Sequence, residues 1–198
     1  MSRFTSVAMA FATAALPLSL ALGGAQAAPV TYTIDPSHLS VVFNVHHLGF
    51  SNVYGRFNEA SGEVVVDKDA IASSRVKFTI KAASIDTAFA KRDDHLRSPD
   101  FFNVKEFPEI TFVSTKVEPK DKGIHELRLS GDLTMLGVTK PITLDVSFNK
   151  AEVSPASKKD TVGFSARGIL RRSDFGMKYG VPNIGDEVSL ILEAEANR

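Results

Sequence analysis

The chain is expected to fold as an all-β domain: an antiparallel sheet of about eight strands closed into a barrel, with one short helical insertion. Three observations carry this. Ten stretches alternate apolar and polar residues with a period of two, which puts one side of a strand in a core and the other in water. The links between them are short and rich in Gly, Pro, Asn, Asp and Lys, as hairpins require. Only one segment, about residues 85–103, switches to a helical period. A long sheet with one consistently apolar face must cover it, and closure does so without leaving an edge. At about eight strands the interior is either filled by side chains or holds one elongated ligand.

The elements follow in order. Thr31–Asp35 reads as a short strand ending at Pro36, and Leu39–His47 as a second with Leu39, Val41, Phe43, Val45 and His47 on one face. Val53–Phe57 and Gly62–Asp67 are one bent strand or two. In Arg75–Ala82 every even position is apolar, the clearest alternation in the chain. Ile110 and Phe112 mark the next strand, and Leu127, Leu129, Gly131, Leu133 and Met135 share a face of another. Beyond a turn at 137–141 come Ile142, Leu144, Val146 and Phe148, then Val162, Phe164, Ala166 and Gly168, then Val188, Leu190, Leu192, Ala194 and Ala196. The small inward residues Gly131, Ala166 and Gly168 favour a hollow interior. Residues 154–160 form a solvated loop.

The exception lies between Ser84 and Phe107. Ile85, Phe89, Arg92 and Leu96 fall on one helical stripe. Ser98-Pro99-Asp100 reads as the N-cap, first-turn proline and first-turn acid of a second short helix carrying Phe101 and Phe102. Such an insertion suits a plug or lid at one barrel mouth.

Residues 1–27 are expected to be a cleaved leader. Arg3 gives the positive start, Val7 to Leu22 are mostly apolar, and Ala25-Gln26-Ala27 supplies small residues before a cut at Ala28. The remaining stretch, 28–198, is one domain by size. The chain has no cysteine, which removes disulfides, thiolate nucleophiles and Cys-based zinc sites. Its 23 basic and 23 acidic residues balance, so there is no global attraction to nucleic acid or anionic membrane. No apolar run near 18 residues follows the leader, so stable membrane insertion is not expected. A bacterial periplasm is the expected compartment.

Few residues point to chemistry. Arg92 sits within the apolar stripe, and His95, three residues on, neighbours it on the same helix side. A cation and an imidazole beside phenylalanines suit a polar head group at an apolar mouth. The competing reading pairs Arg92 with Asp86, Asp93 or Asp174 to lock the helix in place. His46 and His47 point to opposite faces of a strand and so cannot chelate one ion, and no metal or other cofactor is expected. His47 is expected to face in and His46 out. Hydrolase elbows and phosphate loops are absent. Arg171-Arg172 reads as a solvated turn, with one arginine anchoring Asp174.

The chain resembles the YceI-like, polyisoprenoid-binding proteins. The resemblance rests on Asp35-Pro36-Ser37-His38-Leu39-Ser40, on Phe43-Asn44-Val45-His46-His47-Leu48-Gly49, and on Arg92-Asp93-Asp94-His95-Leu96 leading to Ser98-Pro99-Asp100-Phe101-Phe102. Phe107 to Phe112, Gly131 to Pro141 and Arg172 to Met177 follow in the family order. It implies a lipocalin-like barrel exported to the periplasm, a long apolar cavity for an isoprenoid chain such as a quinone's, and a homodimer as the assembly. Carried over by position, the cavity takes Phe43, Val45, Phe57, Phe78, Ile80, Phe112, Leu133, Leu144, Val146 and Phe164, with Phe89, Leu96, Phe101 and Phe102 from the insertion. Arg92, His95 and His47 then meet the head group. Leu136 departs from the family, which more often has a polar or basic residue there; a hairpin is affected, not the cavity.

A non-catalytic carrier or sequestering protein for a long-chain amphiphile follows from this reading. Two others stand beside it: an enzyme acting on a lipid head group through His95, Asp93 and Arg92, and a filled barrel serving as a stress-response interaction module.

Overall fold

The structure is a computed structural model and describes residues 28–120 and 125–198; the leader expected over 1–27 lies outside the described residues. The strands are β1 (Val30–His47), β2 (Ser51–Phe57), β3 (Ala60–Val66), β4 (Arg75–Lys81), β5 (Ile85–Asp86), β6 (Glu109–Pro119), β7 (Glu126–Met135), β8 (Val138–Val153), β9 (Asp160–Arg171) and β10 (Ile184–Asn197). Among the described residues there is one α-helix, α1 (Ala90–Arg97), between β5 and β6.

All ten strands join one sheet in the order β10-β9-β8-β7-β6-β4-β3-β1-β2-β5, and β10 also pairs with β1, closing it. The wall has eight staves, because β2 and β3 are halves of one bent strand. Val30–Thr33 of β1 pair with β3, and Val41–His47 pair with β2. β4 and β5 divide in the same way against β3 and β2. Each stave is antiparallel to its neighbour in sequence, the up-and-down meander of a lipocalin-like barrel.

Three expected elements are corrected. The short strand ending at Pro36 and its successor are one 18-residue strand, kinked by a bulge between Ile34 and Leu39. Ser37 donates from its amide and its hydroxyl to Asp35 Oδ1, and His38 Nδ1 lies 3.1 Å from Asp35 Oδ2; these contacts staple the kink. The helical stripe from Ile85 is also shorter than its spacing suggests. Ile85 is in β5, and the chain turns at Ala88, where φ is 59°. Asp86 Oδ1 accepts the Ala88 amide and Asp93 Oδ1 accepts the Thr87 amide, so local side-chain bonds hold this stretch as a turn and the helix starts after it. Ser98–Asn103 forms consecutive turns and no second helix: the Phe101 and Asn103 amides both donate to the Ser98 carbonyl.

Of the small inward residues, Ala166 lines the hollow as expected, while the two glycines do not open space. A Cβ on Gly131 would lie 2.3 Å from the Phe112 ring, and one on Gly168 2.4 Å from Leu144 Cδ2. These glycines let a neighbouring large side chain lie flat on the wall.

One end is packed shut. Tyr32, Val162 and Ala196 are fully buried there, and Tyr32 donates to Asp160 Oδ2 at 3.2 Å, an oxygen that also accepts Arg198 Nε at 2.8 Å. The other end carries α1, the β1–β2 turn and the segment 172–183, and it is the mouth.

Candidate functional site: an apolar cavity with a polar mouth

Inside the wall lies a cavity of about 430 Å³, within the size range of small-molecule sites. The alternating faces of the strands line it. Val41, Phe43 and Val45 of β1, Phe78 and Ile80 of β4, and Phe112 of β6 contribute one side. Leu133 of β7, Leu144 and Val146 of β8, and Phe164 of β9 contribute the other. Phe57 closes the β2 stave, its ring 5.7 Å from Phe43 and 5.6 Å from Phe102. Leu96, Phe101 and Phe102 reach in from the insertion. A filled barrel is excluded, since this hollow far exceeds the space one water needs.

Phe89 is the exception among the expected lining residues. It is the extended residue before α1, 56% exposed, and it lies outside the cavity because the helix starts one residue later. Its ring sits beneath the Arg92 guanidinium, 5.6 Å away, a cation–π contact.

The charged and imidazole groups facing the cavity cluster at the mouth, while Ser74 lines the far end. Among the described residues no aspartate or glutamate lines the cavity; the charged ones are Arg92 and Arg172, joined by His47 and His95. Arg92 pairs with no carboxylate among the described residues. Its Nε donates to Thr87 Oγ1 and its Nη2 to the Thr87 carbonyl, both at 2.7 Å. The Thr87 hydroxyl in turn donates to Asp93, which is buried beneath the helix. The expected partners of Arg92 are thus replaced by a threonine relay, and among the described residues Nη1 has no acceptor. His95 Nε2 lies 2.9 Å from Asp100 Oδ2, and its ring meets Phe101 and Tyr179 edge-on at 5.0 and 5.2 Å. His47 faces in, opposite Ile184 in the ladder, while His46 is exposed beside Asn52.

Two mouth residues escaped the sequence reading. Tyr179 follows no periodic run and carries no signal of its own. Arg172 was expected in a solvated turn but is 3% exposed. Its guanidinium donates to the carbonyls of Met177, Tyr179, Ile184 and Gly185, pinning the 176–185 segment to the barrel end. Burial pushes its pKa down, and Asp186 opposes this; Asp186 itself is held by Ser173 and by Arg171. Strand-like alternation before Arg172 hid the switch, because a single turn of 3₁₀ helix at Arg172–Phe175 rotates the side chain inward. Leu136 sits with Gly137 in the β7–β8 turn, φ 54° and 72°, and does not line the cavity.

A closed eight-stave barrel around an enclosed apolar hollow, polar at one end, is a lipocalin-like fold. The YceI-like domain profile matches residues 32–196, and the chain belongs to the YceI-like family. Protein YceI of Escherichia coli O157:H7 is 38% identical over 179 residues, covering 89% of this chain and 92% of that one. The crystal structure of Campylobacter jejuni YCEI protein is 34% identical, with a TM-score of 0.68 over 77% of this chain and 89% of that one. Two more distant structures share the fold. Burkholderia cenocepacia BcnA has a TM-score of 0.74 at 24% identity, over 82% of this chain and 99% of that one. A polyisoprenoid binding domain from Saccharophagus degradans implicated in plant cell wall breakdown has 0.60 at 15%, over 84% and 97%.

Proposed function

We propose that the protein is a periplasmic binding or carrier protein that holds a long-chain polyisoprenoid or similar amphiphile in its barrel and performs no reaction on it. One observation carries this reading: the cavity is apolar along its length and confines its charged and imidazole groups to one end. That polarity matches a tail with a head. Membership of the YceI-like family and the fold shared with a polyisoprenoid binding domain support the same ligand class.

The free-energy balance assigns separate roles to tail and head. Taking a chain of about 40 carbons from water is worth tens of kcal/mol gross at ~0.8 per methylene. Measured affinities stop near about −20 kcal/mol, and binding carries its own costs. The lipid's alternative is a bilayer, where its tail is already surrounded by hydrocarbon, so the apolar contribution nearly cancels. Net capture then falls to close packing and to Arg92, His95 and His47 at the mouth. The enzyme reading is weaker. Asp93, the carboxylate it invoked, is buried against Thr87 and is not among the cavity-lining residues, which removes one of its three groups.

Native mass spectrometry and organic extraction of protein purified from the cell envelope test the proposal. A co-purifying apolar molecule, or stoichiometric uptake of a supplied quinone, is the expected result. Repeated recovery of an empty chain that takes up neither quinones nor fatty amides would refute it. Turnover of a supplied lipid, abolished by His95→Ala, would replace it with the enzyme reading.

A further inference from the structure

We infer that the mouth of the barrel docks transiently on a membrane surface bearing anionic lipids, through three loop tips that ring the opening. The inference rests on the lipid-holding reading of the cavity and adds the partner from which the lipid is exchanged.

Nine large apolar or aromatic side chains are exposed among the described residues, and five of them, Leu48, Phe50, Phe89, Tyr179 and Val181, sit at this one end. Phe50 is 90% exposed. Isolated surface apolar residues need no explanation, but a ring of them around an apolar opening does. The tips form one rim. The Leu48 amide donates to the Asn183 carbonyl at 2.8 Å, joining the β1–β2 turn to the 177–183 segment. Tyr179 touches His95 of α1, and Arg92 of the same helix covers Phe89. Leu48 holds φ at 54°, a left-handed conformation that favours Gly or Asn. Neither backbone preference nor solubility accounts for a leucine at that point.

Charge selects the occupant. The stretches 48–52, 87–92 and 177–183 contain no aspartate or glutamate and carry Lys91, Arg92 and Lys178. The acids nearest these tips are buried or have basic neighbours of their own: Asp93 is buried against Thr87, Asp86 lies near Arg56 and Arg97, Asp94 pairs with Arg97, and Asp100 pairs with His95. A second copy meeting this face across a two-fold axis would set these cations against their own images. An anionic lipid surface complements them, and aromatic tips are suited to the headgroup boundary. Docked this way, the opening faces the bilayer and a tail passes between the two apolar phases without crossing water.

Co-sedimentation with vesicles of equal parts phosphatidylglycerol and phosphatidylcholine tests the inference, with pure phosphatidylcholine vesicles for comparison. The protein should bind the mixed vesicles and lose about five-fold in binding for each of Lys91→Glu and Lys178→Glu. The double variant Phe50→Ser, Phe89→Ser should lose binding about ten-fold or more, while keeping its circular dichroism spectrum and its uptake of a quinone added from ethanol. Val153→Ser, an exposed change elsewhere on the barrel, should change nothing. Absence of vesicle binding, binding indifferent to the Phe50/Phe89 pair, or a dimer in ultracentrifugation that this pair dissociates would each overturn the inference. A protein that takes up quinone yet ignores vesicles sinks the docking alone; one that binds vesicles yet never takes up a lipid sinks the function proposed above.

Discussion

Arg92 and Thr87 are joined by two hydrogen bonds, Nε to Oγ1 and Nη2 to the carbonyl oxygen, each 2.7 Å long. Asp93 completes the unit by accepting both the amide and the hydroxyl of Thr87. One threonine therefore sets the aim of the guanidinium at the mouth and satisfies a buried carboxylate. Thr87→Val keeps the shape and removes the hydroxyl, leaving Asp93 and Arg92 each short of a partner. The expected loss is about 1–3 kcal/mol of stability in urea denaturation, together with weaker ligand retention in a competition assay. Unchanged retention with reduced stability would separate Arg92 from the ligand.

Arg172 fills the role of a side-chain clasp. Four carbonyls converge on one planar fork, a geometry that lysine's point charge cannot reproduce. Arg172→Lys should leave carbonyls of the 177–185 segment unpaired and lower stability by about 2–4 kcal/mol. Limited proteolysis should show new cleavage within 177–183, since that segment is what the guanidinium fastens.

The wall was legible because a period of two reports directly on which side of a strand is buried. Val41, Phe43 and Val45, or Leu144 and Val146, keep their alternation in the cavity lining. What the pattern does not encode is backbone that leaves regular geometry. The bulge at Asp35–His38 holds β1 continuous past a proline, and the Thr87 relay shortens a helix whose apolar spacing extends further. Both depend on side chain-to-backbone bonds between residues close in sequence yet outside any repeat. Arg172 and Tyr179 were hidden for the same reason, as non-periodic residues placed by a 3₁₀ turn and by long-range packing. Phe89 fails the other way, matching a helical stripe that starts too late to include it.

The mid-barrel wall should reject charge. Leu144 and Phe78 are buried and face the hollow from different staves. An aspartate at either place has no partner, and burying an unpaired carboxylate is among the largest single-residue penalties. Leu144→Asp and Phe78→Asp should each cost about 3 kcal/mol or more or yield a folded barrel that no longer co-purifies with lipid. Differential scanning calorimetry and extraction distinguish the two outcomes, and a variant normal in both would contradict the placement of the cavity.

The kink in β1 gives the fold an acid-sensitive point. The Ser37 hydroxyl, then His38, then the Ser37 amide hold the Asp35 pKa down to about 2. A carboxyl depressed on folding contributes stability that is present above its unfolded pKa, about 3.9, and is lost as pH falls toward the folded value. Stability from this bulge should therefore drain between about pH 4 and about pH 2. His38 works in the opposite sense: Asp35, with Glu195, raises its pKa, so its contribution is whole below its unfolded pKa and fades as pH climbs through the raised one. Asp35→Asn removes the first dependence and Asp35's share of the second, leaving the effect of Glu195 on His38. Its thermal midpoint should be lower than wild type at pH 5–6, and the two should converge as pH falls through the acid window. A constant gap between the curves from pH 6 down to pH 2 would show that the staple contributes through shape alone and not through its charge.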